Sequence, residues 1–426
     1  MRVLPPQSAW QLPVQWPDAA RPARGLSERQ TDGLLKAAIV FALLAVTVLD
    51  RFGLRVTADF SLPPAMVALY ALAALMYLLG VGDLNGRGAL SYVLLMSVAG
   101  LSYLVNASFE PRQYLTLTSY ALLVVAYAPF ALSLRAVPFA PELWRWTLRM
   151  YVRFSLLLAL AGIAQFFAQF FFRPEWLFDY TALIPEALRA SGGWNTENQA
   201  GAWIKSNGFF LREASMFSIA MALGLLCELH SARRVWAMAT LGLALLVTYS
   251  GSGLFCLGAG LLFPVGRRSL ARVGVLVGLA TVTFVFLGEA LNLSYTVERV
   301  GEVSQRTSAY CRFVYPGAMV LQQIDANVWT SLLGHGPGTM ARMGGTCTDL
   351  HQPTYAKIAF EYGLAGALAL AVLILGALRR AGLHSGIAVA LGLGWLVFGG
   401  NLLAADVLLV IYLLSAMWPA GANAAR

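Results

Sequence analysis

The sequence predicts an all-α protein that crosses a membrane many times. Of its 426 residues, 58% are hydrophobic and only 12% are charged. Soluble globular proteins carry roughly 25% charged residues, so this composition excludes an ordinary cytosolic enzyme. The abundance of apolar and aromatic residues also excludes a disordered chain. The net charge of +9 does not indicate nucleic-acid binding, because the Lys and Arg residues lie in small groups between long apolar runs.

About twelve apolar segments are long enough to be membrane-spanning helices, since a bilayer requires roughly 17–25 such residues. They cover residues 33–49, 62–82, 88–106, 113–135, 148–172, 208–229, 235–249, 252–266, 270–290, 354–377, 383–399 and 402–418. Helices 1–9 thus fall within residues 33–290 and helices 10–12 within residues 354–418. The seventh and eighth segments are short and meet at a Ser/Gly turn at residues 249–253. They either span singly or form one re-entrant pair.

The segments between the helices predict the orientation of the chain. Residues 1–32 contain five prolines and no apolar core, which indicates a flexible cytoplasmic tail and not a cleaved signal peptide. Arginines follow the even-numbered helices, as cytoplasmic junctions require: Arg135, Arg145 and Arg149, then Arg233 and Arg234, then Arg267, Arg268 and Arg272, then Arg379 and Arg380. We therefore expect both termini, including residues 419–426, in the cytoplasm. The long loops, near 173–207 and at 291–353, are expected outside.

Cysteine placement agrees with this orientation. Cys227 and Cys256 fall inside predicted helices, where a thiol behaves as a small apolar group. Cys311 and Cys347 both lie in the long external loop. An oxidising compartment would permit a disulfide between them, and two unrelated thiols are the alternative. The sequence has no Cys/His spacing typical of zinc and no nucleotide-binding glycine loop, so it predicts neither a metal nor another cofactor.

The loop before the sixth helix carries candidate site residues at the membrane boundary. Arg212 and Glu213 begin an apolar helix, where ionisable side chains are costly unless paired or hydrated and are functional candidates by default. The alternative is that Arg212 and Glu213 only form an ion pair with each other at the membrane interface and have no role in function. Lys205 precedes them near the same boundary, where snorkelling of its long side chain is an equally good explanation.

The long loop before the tenth helix contains further candidates. Arg306 and Arg312 both precede residues 313–328. The apolar positions of this stretch recur at helical spacing and predict an amphipathic surface helix. The glycine-rich turn at residues 334–338 has backbone amides that can approach an oxyanion closely. His351 follows an acidic residue by two positions and is expected at the outer membrane boundary, where the two loops converge.

Several short motifs occur in order between about residues 200 and 375. They are Gly208-Phe209-Phe210 with Glu213-Ala214-Ser215, Thr248-Tyr249-Ser250-Gly251-Ser252-Gly253, Arg312, Leu333-Gly334-His335-Gly336-Pro337-Gly338, and His351 with Gly363-Leu364-Ala365-Gly366. In this order they resemble the O-antigen polymerase and ligase superfamily, the Wzy-type polymerases and WaaL-type ligases. The chain departs from that pattern at Ala214, Gly251 and Gln352, where the family favours proline, arginine (in ligases) and asparagine. The missing arginine favours a polymerase over a ligase.

The resemblance implies a GT-C-like polytopic fold and metal-independent glycosyl transfer at the periplasmic face of a bacterial inner membrane. An oligosaccharide would pass from undecaprenyl diphosphate to an acceptor hydroxyl. A polymerase of exopolysaccharide or O-antigen repeat units is favoured, and an O-antigen ligase acting on a lipid A-core acceptor is the alternative. A polysaccharide or lipid transporter and a non-catalytic assembly subunit are alternatives of other classes. The implied partners are the lipid-linked oligosaccharide, membrane lipid, a chain-length regulator and a flippase, and no nucleic acid.

The resemblance also suggests roles for individual residues. Guanidinium groups bind phosphates in bidentate fashion, so the diphosphate contacts are assigned to Arg212 and Arg312, supported by Arg306 and Lys205. The acceptor hydroxyl needs a proton acceptor, and the candidates are His351 and Glu213. Stacking on sugar rings is assigned to Trp194, Tyr310 and Tyr315, with anchoring at the membrane interface as the alternative.

Overall fold

Helices account for most of the chain. The computed structural model describes residues 26–56, 60–109, 115–190, 199–200, 203–288, 310–343, 347, 352–398 and 401–420. Its helices there are α1 (Glu28–Thr47), α2 (Pro64–Leu78), α3 (Gly86–Phe109), α4 (Leu117–Tyr127), α5 (Ala140–Ala168), α6 (Ala214–His230), α7 (Val235–Leu246), α8 (Gly251–Leu262), α9 (Arg267–Leu287), α10 (Tyr315–Ala326), α11 (Val328–Leu333), α12 (Thr339–Met343), α13 (Thr354–Arg380), α14 (Ser385–Leu393) and α15 (Ala405–Ile411). The predicted all-α class is confirmed.

Three two-stranded antiparallel sheets lie in the connections between helices. They pair β1 (Leu54–Arg55) with β2 (Ser61–Leu62), β3 (Gly82–Leu84) with β4 (Leu132–Leu134), and β5 (Gln199–Ala200) with β6 (Trp203–Ile204). In the second pair, Gly82 lies opposite Leu134 and Leu84 opposite Leu132. This pairing ties the α2–α3 connection to the residues that follow α4.

Four helices, α1, α3, α5 and α13, are long and apolar enough to cross a membrane. Seven further apolar helical segments of 10–17 residues are shorter. Each of the twelve predicted segments contains a helix among the described residues. The chain therefore has the helices of a membrane protein, while the number of twelve crossings stays a prediction.

Several helices begin or end away from their predicted positions, for local reasons. α1 begins at Glu28, inside the predicted tail, because Ser27 and Gln30 form a reciprocal capping box. α4 ends at Tyr127 because Pro129 cannot donate the next helical hydrogen bond. α5 begins at Ala140, eight residues early, and Pro141 occupies its first turn, where a proline is tolerated.

The paired helices α7 and α8 are both short. Each has 12 residues, which corresponds to about 18 Å at the usual helical rise. The hydrocarbon core of a bilayer is roughly 30 Å thick. Neither helix alone covers that thickness, and whether the two span singly or form one re-entrant pair stays a prediction.

α13 is broken at Gly363, which has φ 67° and ψ −170°. A Cβ added at Gly363 would lie 2.3 Å from the carbonyl carbon of Leu332, and one at Gly334 would lie 2.4 Å from that of Glu361. The two backbones therefore touch, and both positions require glycine. This contact fixes the glycine-rich turn against the break in α13.

α6 lies at the centre of the bundle, where it packs against α5, α7 and α8. Its side chain Phe217 is fully buried in the main core. The first residue of α6 lies close to Asp50, which follows α1, and we call this end of the bundle the loop end. The last residue of α6 lies close to the start of α5 and of α9, and we call this the arginine end.

Candidate active site

Arg212 forms a bidentate ion pair with Asp50 at the loop end. Its Nε and Nη2 atoms donate to the Asp50 carboxylate over 2.9–3.1 Å, and its backbone N–H donates to the same group over 3.0 Å. The Asp50 side chain is 2% exposed and that of Arg212 is 26% exposed. The carboxylate raises the pKa of Arg212 above its ordinary value. The Asp50 carboxylate thus holds the partly exposed Arg212 guanidinium in one orientation.

Arg51 fixes the adjoining loops. Its side chain is 1% exposed, pairs with Asp179 and donates to the carbonyl oxygens of Phe178 and Leu211 over 2.8 and 2.9 Å. The guanidinium carbon lies 4.9 Å from the centre of the Tyr180 ring, a cation–π contact. Burial lowers the pKa of Arg51, although an arginine stays charged in proteins. Arg51 therefore joins the end of α1 to the segment that carries Arg212.

The segment before α6 is positioned by Gln165 of α5 and by Gln169, the residue that follows α5. Gln165 accepts from Ser206 Oγ over 2.8 Å and donates to Asn207 Oδ1 over 2.8 Å. Gln169 exchanges hydrogen bonds with both backbone groups of Ile204. Lys205 lies between these contacts and is only 4% exposed. Its ammonium is thus enclosed by protein, which disagrees with the snorkelling explanation.

Glu213 is the residue that precedes the first turn of α6. Its Oε2 atom accepts a hydrogen bond from Ser215 Oγ over 2.8 Å, so the carboxylate is held at the helix terminus, close to the Arg212 guanidinium. The predicted helix start at residue 208 is wrong, because Gly208 and Phe209 both have positive φ and form a turn. That turn places Arg212 and Glu213 at the loop end.

Asp406, in the first turn of α15, adds a second carboxylate near Arg212, whose charge it also stabilises. Asp406 lines a narrow cavity of about 80 Å³ together with Leu211 and Trp395. The other lining side chains are mostly apolar. This cavity connects the start of α6 with the α14–α15 connection.

The first residues of α13 lie against the same connection. Thr354 Oγ1 donates to the carbonyl oxygen of Trp395 over 2.8 Å, and Pro353 forms a β-bridge with Asn401. Trp395 lines the cavity that contains Asp406. The structure therefore brings the start of α13 and the start of α6, which are far apart in the sequence, to one place.

A second cluster contains Tyr310, Arg312 and Tyr315. Residues Tyr310–Val314 form a π-helical turn, and α10 follows within the predicted amphipathic stretch. The rings of Tyr310 and Tyr315 lie 6.1 Å apart. Cys311 and Cys347 form a disulfide that ties this turn to the segment preceding α13. Among the described residues, no carboxylate lies within 4 Å of Arg312 and no hydrogen bond or ion pair joins it to Arg212.

The glycine-rich turn is not an oxyanion site at the positions expected. The backbone N–H groups of His335 and Gly336 donate to the carbonyl oxygens of Phe360 and Glu361 over 2.9 and 2.8 Å. Those carbonyls lose their helical partners at the break in α13, and the turn supplies replacements. The amides are therefore used in packing.

Three predicted site residues, Trp194, Arg306 and His351, lie outside the described residues. The structure adds others that the sequence reasoning missed. Asp50 was not singled out, because 162 residues separate it from Arg212. The buried pair Lys357–Glu361, at 3.3 Å, was recognisable from its i,i+4 spacing on α13.

Neither the known protein families nor the curated proteins contain a match to this chain. The resemblance to polysaccharide polymerases and ligases therefore stays a prediction.

Proposed function

We propose that this membrane protein is a polysaccharide polymerase that joins repeat units carried on undecaprenyl diphosphate at the outer face of the membrane. The loop end would face the periplasm, and both termini would lie in the cytoplasm. The proposal combines the motif order with the charged groups that meet at the loop end. Its single strongest support is the Arg212–Asp50 pair beside Glu213.

A fixed positive charge at the membrane boundary suits a lipid diphosphate donor. Ionisable groups within a membrane protein are costly and mark functional sites by default. Arg212 is already oriented by Asp50, so little reorganisation is needed when charge develops on the leaving diphosphate. Arg312, without a carboxylate within 4 Å among the described residues, is the second diphosphate ligand in this proposal.

The reaction is a displacement at the anomeric carbon. The acceptor hydroxyl oxygen attacks that carbon, and the bond from the carbon to the diphosphate oxygen breaks. The bonding electrons leave with undecaprenyl diphosphate, whose charge the arginines stabilise. The hydroxyl proton passes to a base, and Glu213 and His351 are the candidates. No cofactor enters this scheme.

The roles of Arg212 are separated by removing its partner as well. Arg212→Ala is expected to abolish polymer, but it also leaves the buried Asp50 carboxylate unpaired, which is itself destabilising. The double variant Arg212→Gln/Asp50→Asn removes both charges and keeps similar volumes. We expect it to reach normal abundance in membranes and still make no polymer, as judged by gels of surface glycans. Wild-type polymer from the double variant would show that Arg212 serves only as the counter-ion of Asp50 and does not bind the diphosphate.

The candidate bases differ in what their loss should do. We expect Glu213→Gln or His351→Ala, whichever removes the base, to slow in vitro transfer at least about a hundredfold while donor binding is retained. Equal transfer rates in both variants and the wild type would exclude both residues.

Deletion of the gene tests the reaction class. Surface glycans reduced to single repeat units are expected of a polymerase. Lipid-linked polymer that never reaches its acceptor would indicate the ligase alternative, and unchanged glycans would contradict both.

A further inference from the structure

The arginine end of the bundle contains a cavity of about 1010 Å³ that the proposed reaction does not use. It lies where α5 and α9 begin, where α6 ends and where α13 connects to α14. We call it the arginine cavity, and its basic lining residues are Arg145, Arg149, Arg233, Arg272, His230 and His384. Its volume is at the upper limit of the roughly 300–1,000 Å³ typical of ligand pockets.

The charge in this cavity is strongly unbalanced. Four guanidinium groups face it, and Glu142 is the one acidic side chain among the described lining residues. None of the four arginines has a carboxylate within 4 Å in the described part of the chain. The Arg145 Nε atom donates to the carbonyl oxygen of Pro141 in its own helix over 3.3 Å, and the Arg233 Nε atom donates to that of Leu229 at the end of α6 over 3.1 Å. Because a backbone carbonyl is uncharged, these hydrogen bonds do not neutralise the guanidinium groups.

The neighbouring residue Arg234 differs from the four arginines that line the cavity. Its guanidinium makes a bidentate contact with the buried Glu228, over 2.9 Å for each hydrogen bond. Arg233, one residue earlier, lines the cavity and has a positive φ of 56°. A positive φ is uncommon for a residue with a side chain. The chain thus pairs one arginine with an acid and turns the adjacent one to the cavity.

The two histidines form part of the wall. Their rings stack with centres 3.6 Å apart, and His384 Nδ1 accepts a hydrogen bond from the Gly386 backbone N–H over 3.1 Å. Apolar side chains such as Leu148 and Ile387 line the cavity towards the interior of the bundle. The site therefore presents cations with apolar surface behind them.

We propose that the arginine cavity binds the phosphate group of an anionic ligand, either a phospholipid headgroup or a soluble phosphate compound. Guanidinium groups bind phosphate oxygens through paired charge-assisted hydrogen bonds, and four of them converge on one volume. A phosphate would neutralise charges that the described protein leaves unbalanced. The site is distinct from the loop end, because the 17 residues of α6 separate the two by about 25 Å.

The test uses the purified full-length protein and two probes. Inorganic pyrophosphate represents the soluble source, and phosphatidylglycerol added to phosphatidylcholine vesicles represents the lipid source. The cavity variant is Arg149→Gln/Arg272→Gln. The control variant Arg267→Gln/Arg379→Gln removes the same charge from exposed positions near the same end that do not line the cavity.

We expect the cavity variant to bind at least one probe about tenfold or more weakly than the wild type, and the control variant to bind like the wild type. Loss confined to the vesicles identifies a lipid headgroup, and loss confined to pyrophosphate identifies a soluble ligand. Equal weakening in both variants, or no weakening in either, would overturn the proposal. Glu142→Gln provides a test by gain, since removal of the acidic lining residue should tighten binding, and unchanged binding there would contradict it.

Discussion

The two ends of α6 carry arginines in opposite electrostatic arrangements. At the loop end, Arg212 is paired with Asp50, and Arg51 with Asp179. At the arginine end, Arg149 and Arg272 line a large cavity, and no carboxylate lies within 4 Å of them among the described residues. An arginine that is ion-paired is held in one orientation, as Arg212 is in the proposed diphosphate site. One without a partner contributes to a ligand site at little cost to stability.

The difference also separates two explanations of positive charge in a membrane protein. The excess of arginine in cytoplasmic junctions explains why cations gather at one end of the bundle. It does not explain why four of them surround a common volume while Arg234 beside them is neutralised by Glu228. The orientation of the chain in the membrane explains how many arginines lie at this end. A ligand site in the cavity explains why four of them surround one volume.

The largest contrast in stability should appear when one charge is removed from each end. Glu361→Ala leaves the buried Lys357 without its carboxylate partner and, among the described residues, with only the hydrogen bond to Gln352, and we expect a loss of about 3–5 kcal/mol. Arg272→Ala, at the exposed arginine end, should change stability by less than about 0.5 kcal/mol. Unfolding in detergent measures both. Similar losses in the two variants would break the comparison.

A control keeps the first variant interpretable. Lys357→Met/Glu361→Leu removes both charges with little change of volume and should recover most of the lost stability. Failure of this double variant to recover stability would show that packing, and not the unpaired charge, causes the loss.

A smaller effect is expected at the backbone contact of the loop end. Gly363→Ala places a Cβ 2.3 Å from a backbone carbon in a residue with φ 67°, so we expect a loss of about 2 kcal/mol or more. Gly376→Ala in the same helix meets no atom within 4 Å and should be neutral or stabilising by about 0.5–1 kcal/mol. The two melting temperatures should therefore move apart, and parallel shifts would argue against the backbone contact.

The smallest effect concerns pH at the arginine end. Burial and Arg272 lower the pKa of His384; His230 and Arg233 also line its surroundings. The unfolded chain therefore binds a proton more readily than the folded one. Stability that is present above the unfolded pKa of about 6.5 should be lost as pH falls through that value. His384→Asn keeps a side chain that can cap α14, and it should flatten the dependence of melting temperature on pH. An unchanged pH profile would exclude His384 as its source.

The sequence predicted where the helices lie, but it did not predict which distant residues contact one another. Each apolar run predicted as a spanning segment contains a helix, because burial in a bilayer depends mainly on composition. Arg212 was recognisable as a charge beside an apolar helix, whereas its ion pair with Asp50 depends on how the segment after α1 meets the segment before α6. The glycine-rich turn was assigned to an oxyanion, and its amides instead satisfy carbonyls released at Gly363. A break inside an otherwise regular apolar helix leaves no periodic signal.

The short length of α6 has a consequence for its two charged ends. Its 17 residues cover about 25 Å, less than the roughly 30 Å of hydrocarbon in an average bilayer. Because α6 packs against α5, α7 and α8 at the centre of the bundle, protein and not lipid makes up the difference. The charged groups at its ends therefore need water or a protein partner below the level of the lipid headgroups, as Asp50 provides for Arg212.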